Sequence, residues 1–366
     1  MRLRTKFMSM ALTLGIAGAC FAGCQTANSN NQATGNETQA QTTQNQDIDY
    51  STLSEEELQA LYEKEPASKR TIHVAYDGGL CVAPIPAAQY EGFFEAEGLN
   101  TDLVASADAR DALAAGKIDT AVGMLADWLT SIQNGVELRF TTAIHTGCTS
   151  AAVLADSDIT KLEKGQKVGV GGAIGGYTHN IALRFASHDG YTATDFDWLA
   201  IDPSALLTAL QKGDVQVIVG GDQLIRKWEA DGLVKIIRSQ TTDDDFKDEA
   251  CCAFGFPKEF IEENPVTAYK LTRAIYKAGL WINESKENRE KLISECLENG
   301  NISGDPEYNL KVLESLRYGL EYSDLEKSLD DMVKEFVDLG ILKQDLDQET
   351  FKQGILINYH LDKLKQ

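Results

Sequence analysis

A strand–helix–strand–helix–strand block is written into this chain twice, and that repetition limits the folds open to it. In the first copy the alternating segment Thr71-Ile-His-Val-Ala-Tyr76 predicts a strand, and a helical pattern runs from near Pro86 to Phe94. A strand over 101–105, a helix over 108–115 and a strand over 120–123 follow. The second copy reads as a strand over 166–170, a Gly-rich turn over 171–176 and a helix over 177–188. It closes with a strand over 197–200, a helix over 203–211 and a strand over 215–220. The two copies share a detail: Leu113-Ala-Ala-Gly-Lys-Ile-Asp119 matches Leu210-Gln-Lys-Gly-Asp-Val-Gln216. Each is an apolar helix end, a glycine able to cap it and an apolar entry into a strand. Parallel strands need crossover helices, so two such blocks predict an α/β protein of two lobes with mainly parallel sheets. Upstream, Ser54 and Glu57 form a capping box ahead of Leu58, Leu61 and Tyr62, with Pro66 as the stop. Beyond residue 264 the apolar positions Ala268, Leu271, Ile275 and Ala278 keep helical spacing.

The 366 residues suffice for two cores. A net charge of −22 opposes binding to a phosphate backbone or to an anionic membrane surface. After residue 24 nothing approaches the roughly 20 apolar residues of a spanning helix. Before it, Arg2, Arg4 and Lys6, an apolar run over 8–21 and the small pair Ala22 and Gly23 follow the order of an export signal, residues 1–23. Phe21-Ala-Gly-Cys24 resembles the lipobox of bacterial lipoproteins, which implies that Cys24 is diacylated; Ala17-Gly-Ala-Cys20 is a second candidate. Two acyl chains suffice for stable anchoring. Residues 25–46 are almost wholly Gln, Asn, Thr, Ser, Gly and Ala, a composition unable to bury apolar surface. Residues 24–69 are therefore expected to be a polar tether carrying one short helix.

Val74-Ala-Tyr-Asp-Gly-Gly, the segment Ala88-Gln-Tyr-Glu-Gly-Phe-Phe-Glu-Ala-Glu-Gly-Leu99 and the repeated Gly-x-Ile-Asp and Gly-x-Val turns resemble the solute-binding proteins of ABC importers. The likeness, over roughly residues 70–340, is to the nitrate, sulfonate, taurine and thiamine-precursor branch. It implies a type II periplasmic-binding fold whose lobes are joined by two hinge strands. The chain leaves lobe 1 over 146–152 and returns over 249–254. Lobe 1 is then 70–147 plus 251–366 and lobe 2 is 150–248. It also implies an extracytoplasmic monomer that captures a small molecule and delivers it to an ABC permease. The membrane is met only through the lipid, and no nucleic acid is bound.

In open parallel sheets, ligands sit beyond the carboxyl ends of the strands. That rule selects Asp77, Gly78, Gly79, Leu80 and Cys81, then Met124 and Trp128 on the loop after the third strand. In lobe 2 it selects Gly175, Gly176, Tyr177, Thr178 and His179, then Asp222 and Gln223, with His145 and Cys251 on the crossing strands. The 175–179 segment opens a helix, where free N–H groups suit an anionic group; equally, it is a helix start capped by Thr178. These segments lack Lys and Arg but hold Asp77, Asp127 and Asp222, which favours a neutral, zwitterionic or heteroaromatic solute. Tyr76, Tyr177 and Trp128 offer stacking faces or core packing. Substituting Tyr177 or Asp222 is expected to weaken solute binding with little loss of stability.

Cys81, Cys148, Cys251 and Cys252 all fall in cleft or hinge segments, and neighbouring hinge strands put Cys148 within reach of Cys251 or Cys252. Three readings stand: small buried thiols, a hinge disulfide, or soft-metal ligands with His145. Cys296, in a helical pattern, reads as a buried hydrophobe. The chain has no Gly-x-Ser-x-Gly, His-Glu-x-x-His or Gly-Lys-Ser/Thr phosphate loop. No catalytic residue, cofactor or metal is assigned, and an exported enzyme or a ligand sensor on the same fold is the alternative function.

Overall fold

Ser54 accepts a hydrogen bond from the N–H of Glu57 and Glu57 returns one to Ser54, starting helix α1 (Glu55–Tyr62) with the expected capping box. The computed structural model describes residues 48–76, 78–106 and 109–365. Tyr50, Leu58, Tyr62 and Ala67 are buried. Arg273, on a long helix of lobe 1, pairs with Glu55 at 2.7 Å and with Glu97, strapping α1 to the body. Glu65 accepts from the N–H groups of Val266 and Thr267 at 2.7 and 2.8 Å, at the amino end of that same helix. The expected tether up to residue 69 is therefore corrected: from Tyr50 onward the chain belongs to lobe 1, because its aromatic residues have a core to enter. Cys20, Cys24 and the rest of 1–47 lie outside the described residues.

Strand β1 (Ile72–Tyr76) pairs in parallel with β2 (Thr101–Ala105). Between them the expected single helix is two, α2 (Pro84–Tyr90) and α3 (Phe93–Ala96), broken at Gly92. Helix α4 (Ala109–Ala114), β3 (Ala121–Met124), α5 (Leu125–Gln133) and β4 (Leu138–Thr146) complete the first passage. The stretch from Met124 to Trp128, expected as a loop, is largely the first turn of α5.

Lobe 2 holds β5 (Thr149–Leu154), β6 (Lys167–Gly171), α6 (Tyr177–His188), β7 (Asp197–Ile201), α7 (Leu206–Lys212), β8 (Val217–Gly221), α8 (Asp222–Ala230) and β9 (Val234–Ser239). Its sheet has the order β7-β6-β8-β5-β9. Gly116 and Gly213, the matched glycines of the repeat, both take left-handed φ angles, 64° and 76°, as helix caps. The chain returns as β10 (Ala250–Pro257), which lies between β3 and β4 and runs against both. Helices α9 (Lys258–Glu263), α10 (Pro265–Glu284), α11 (Lys286–Glu298), α12 (Pro306–Glu314), α13 (Tyr322–Asp338) and α14 (Gln348–Ile355) finish lobe 1.

Parallel pairing holds for β1–β2, β6–β7 and β6–β8, while β5 and β10 are antiparallel to each neighbour. The sheets are thus mixed rather than mainly parallel, because the strands that cross between lobes run against those they join. Among the described residues, several contacts tie the lobes beyond the hinge. Arg184 on α6 donates to Glu335 on α13, and Tyr308 on α12 donates to the Gln223 carbonyl at 2.6 Å. Among the described residues no helix is long and apolar enough to cross a membrane.

Candidate functional site

Strand β10 carries an irregularity where it meets the end of β4. Ala250 is opposite Thr146 and Cys252 opposite His145, so Cys251 is an extra residue in the ladder. Consecutive strand side chains normally point to opposite faces, and a bulge relaxes that rule. Both thiols consequently reach the same place. Cys148 arrives from the turn after β4 with φ at 109°, a conformation that costs a residue with a Cβ of order 1–3 kcal/mol. Gly147 before it has φ at 78° and lies so close to Thr241 that a Cβ would fall 2.9 Å from the Thr241 Cα.

The outcome is a knot of sulfur and imidazole. The ligand atoms of His145, Cys148, Cys251 and Cys252 all lie within 4.8 Å of one another, and Cys148 Sγ is 3.0 Å from Cys251 Sγ. His145 is fully buried; its Nδ1 lies 3.0 Å from the Thr146 carbonyl, which can only accept, so Nδ1 carries the proton. Its Nε2 bonds no nitrogen or oxygen. Burial disfavours the imidazolium, but Cys148 and Cys81 beside the ring outweigh it and push His145 up to about 10. Burial likewise raises the Cys251 thiol, yet hydrogen bonds from Cys148, Cys252 and Tyr177 hold it down at about 6. The Tyr177 hydroxyl lies 3.2 Å from Cys251 Sγ, 3.5 Å from Cys148 Sγ and 3.0 Å from Gln240 Oε1, and also bonds Thr149. Burial, then the charge of Cys148, Cys251 and Cys252, drives its phenol well above the ordinary range. The expected approach of Cys148 to Cys251 is present in this structure, where none of the five cysteines of residues 48–365 is in a disulfide.

Asp222 does not face open cleft. It is 4% exposed; its carboxylate accepts from Ser150 and Thr241 and pairs with Arg226 at 2.9 Å. Its N–H donates to the Cys148 carbonyl at 2.8 Å. The expectation of little structural role is corrected for Asp222, because its oxygens are engaged by three side chains. Tyr177, buried and bonded in the sulfur knot, departs from that expectation for the same reason. Gln223 begins α8 and meets Tyr308 through its carbonyl.

A separate cavity of about 110 Å³ opens at the carboxyl ends of the lobe 1 strands. Met124 and Trp128, both expected, line it together with Tyr76, Ser106, Arg110 and Asp127. Arg110 pairs with Asp127 at 3.1 Å. Strand-end reasoning missed Arg110 because it sits on α4, beyond the loop that the rule selects. The cleft is consequently not free of basic residues. Asp77 lies outside the described residues; Gly78, Gly79, Leu80 and Cys81 lead into α2. Cys81 is half-buried, and the Leu80 carbonyl accepts from the Tyr318 hydroxyl at 2.8 Å.

Across the cleft, Gly176 caps α6. Thr178 donates to the Gly171 carbonyl at 2.7 Å, and the N–H of Gly175 donates to His179 Nδ1 at 3.1 Å. Burial lowers the His179 imidazole, whose ring meets Trp198 edge-on. Asn180 Nδ2 lies 3.4 Å from the Ala126 carbonyl, placing the amino end of α6 beside that of α5.

A sequence profile described as the NMT1-like family matches residues 65–297. No curated protein sequence matches the chain. Among solved structures, a putative periplasmic sulfonate-binding protein, SsuA, from Methylobacillus flagellatus KT superposes with a TM-score of 0.63 at 17% identity, covering 81% of this chain and 95% of that one. The periplasmic nitrate-binding protein NrtA from Synechocystis PCC 6803 gives 0.62 at 14%, covering 81% and 87%. The desulfurization enzyme DSZB gives 0.54 at 15%, covering 80% and 98%. At these identities the likeness establishes the fold, the two-lobed α/β architecture of periplasmic binding proteins.

Proposed function

Because the chain belongs to the NMT1-like family, we propose that it is an extracytoplasmic solute-binding protein which traps a small molecule between its lobes and presents it to an ABC permease. The observation that carries this reading is the lobe 1 cavity, where Arg110 and Asp127 set a cation and an anion 3.1 Å apart beside Tyr76 and Trp128. Such a pair complements a zwitterion, its acidic group on Arg110 and its cationic group on Asp127, with a planar part against the rings. The cavity, about 110 Å³, takes a head group. The rest of the solute extends toward Gly175, Gly176 and Thr178 of lobe 2. Bound solute then favours the closed arrangement through contacts that exist only there. The chain works as a monomer, held at the membrane by diacylated Cys24, and it releases its solute chemically unchanged.

Calorimetry with amino-acid-like zwitterions, sulfonates and thiamine precursors tests the assignment. One of these is expected to bind at one per chain and to lose affinity in Arg110→Ala. Turnover of the bound molecule, or affinity untouched by Arg110→Ala and Asp127→Ala, contradicts it. Cys24→Ser is expected to move the chain from the membrane fraction into the medium, and a chain that stays with the membrane contradicts the anchor.

A further inference from the structure

Solute capture in lobe 1 makes no use of the buried sulfur and imidazole groups at the hinge. Their arrangement is costly to keep. Cys148 holds a backbone angle suited to glycine, β10 gives up regular pairing at Cys251, and Gly147 is pressed against Thr241. Each departure brings a thiol to the same point. Backbone strain that persists in a packed structure is a pointer to function. The buried His145 supplies the fourth group, with its Nδ1 proton committed to the Thr146 carbonyl and Nε2 facing the thiols.

We infer that His145, Cys148, Cys251 and Cys252 form a tetrahedral site for a thiophilic d10 cation such as zinc(II), which clamps the two strands crossing between the lobes. Three sulfurs and one imidazole nitrogen are a preferred donor set for such an ion. With metal–sulfur bonds of about 2.3 Å, the edge of a sulfur tetrahedron is roughly 3.8 Å. Ligand atoms within 4.8 Å of one another need contract by only about 1 Å, while Cys148 and Cys251, at 3.0 Å, part slightly. The surroundings supply the outer hydrogen bonds that metal ligands need. The Cys148 N–H donates to Thr241 Oγ1 at 3.1 Å, Thr241 donates on to Asp222, and Tyr177 meets the sulfurs from lobe 2. Half-buried Cys81 also borders His145. An ion here joins the turn after β4 to β10, so its presence stiffens the hinge on which the lobes turn.

The test uses the full chain, reduced and stripped with chelator, titrated with zinc(II) alone and separately with cobalt(II) as a spectroscopic probe. We expect one ion per chain, a higher Tm with zinc, and a cobalt spectrum with a thiolate charge-transfer band and strong tetrahedral visible bands. Cys148→Ser and Cys252→Ser should each weaken zinc binding at least ~100-fold, whereas Cys296→Ser should match the parent. A parent chain that binds no zinc, or that holds cobalt in a pale octahedral form without the thiolate band, overturns the inference. So does zinc affinity indifferent to both serine variants, or an exported chain recovered without metal and with Cys148 bonded to Cys251. The zinc and cobalt readings on the parent depend neither on variants folding nor on the solute, so this inference and the solute-binding proposal fail separately.

Discussion

Asp222 and Cys148 hold each other: the Asp222 N–H donates to the Cys148 carbonyl at 2.8 Å, and the Cys148 N–H reaches the Asp222 carboxylate through Thr241. The carboxylate is therefore a brace for the hinge turn. Removing it leaves the Ser150 and Thr241 hydroxyls without their acceptor and the half-buried Arg226 without its partner.

Asp222→Ala is accordingly expected to cost about 3 kcal/mol of stability, read as a lower urea midpoint at unchanged slope. Solute affinity of the folded variant should change less than about threefold, below about 0.7 kcal/mol. A variant of parental stability with lost affinity would return Asp222 to the cleft.

Gly147→Ala probes the same turn. Its φ of 78° is unfavourable to any residue with a Cβ, and that Cβ would sit 2.5 Å from Thr241 Oγ1 and 2.9 Å from the Thr241 Cα. Displacing Thr241 loosens the link to Asp222, so a loss of about 2–3 kcal/mol is expected. Thermal unfolding measures it, and an unchanged Tm would refute the packing described for this turn.

Arg110→Gln is expected to reduce solute affinity roughly tenfold or more, the worth of one charge-assisted hydrogen bond. Arg110 is partly exposed, so its paired contact with Asp127 adds little to folding. Calorimetry together with a melting curve separates the two effects. A fall in Tm without a fall in affinity would place Arg110 outside the binding site.

The contact between α6 and α13 should respond to pH. His188 lies 2.9 Å from both Asp245 and Glu335, with Arg184 also against Glu335 and with Asp189 and Arg238 close by. Its hydrogen bond to Glu335 raises the imidazole above 6.5 against the opposing effect of burial. Burial raises Glu335, but bonds from His188 and Arg184 hold it down at about 2. A raised histidine stabilises fully below about pH 6.5, and its contribution is lost as pH climbs through the folded value. The depressed carboxyl stabilises above about pH 4.3 and yields only as pH falls toward 2. Stability is therefore expected to drop by up to about 1 kcal/mol from pH 6 to 9, small because His188 is partly exposed and screened. Urea midpoints at the two pH values should differ in the parent and converge in His188→Gln; equal differences in both would assign the effect elsewhere.

Much of the architecture was legible in local pattern. The capping box at Ser54, strand 101–105 and helix 177–188 rest on short-range periodicity and end signals, and they occur where those signals place them. The site was harder to read because its determinants are non-local. Arg110 enters the cavity from α4 through the placement of β2 and β3. Asp222 becomes a brace only when Ser150 from β5 and Thr241 from beyond β9 converge on it, beside Arg226 one turn along its own helix. The cysteines were visibly clustered near the hinge, but the bulge at Cys251 and the backbone angle of Cys148 carry no residue-level signature. Tyr50 shows the reverse: a polar, tether-like composition runs up to a segment whose aromatic residue is buried.

The central claim is capture by closure. Small-angle X-ray scattering of the purified chain, recorded alone and with each of the zwitterions, sulfonates and thiamine precursors, tests it most directly. At least one of them should shrink the radius of gyration in the parent and leave Arg110→Ala unchanged. A chain that binds one of these molecules while its scattering curve stays the same, or that contracts with none of them, contradicts the account.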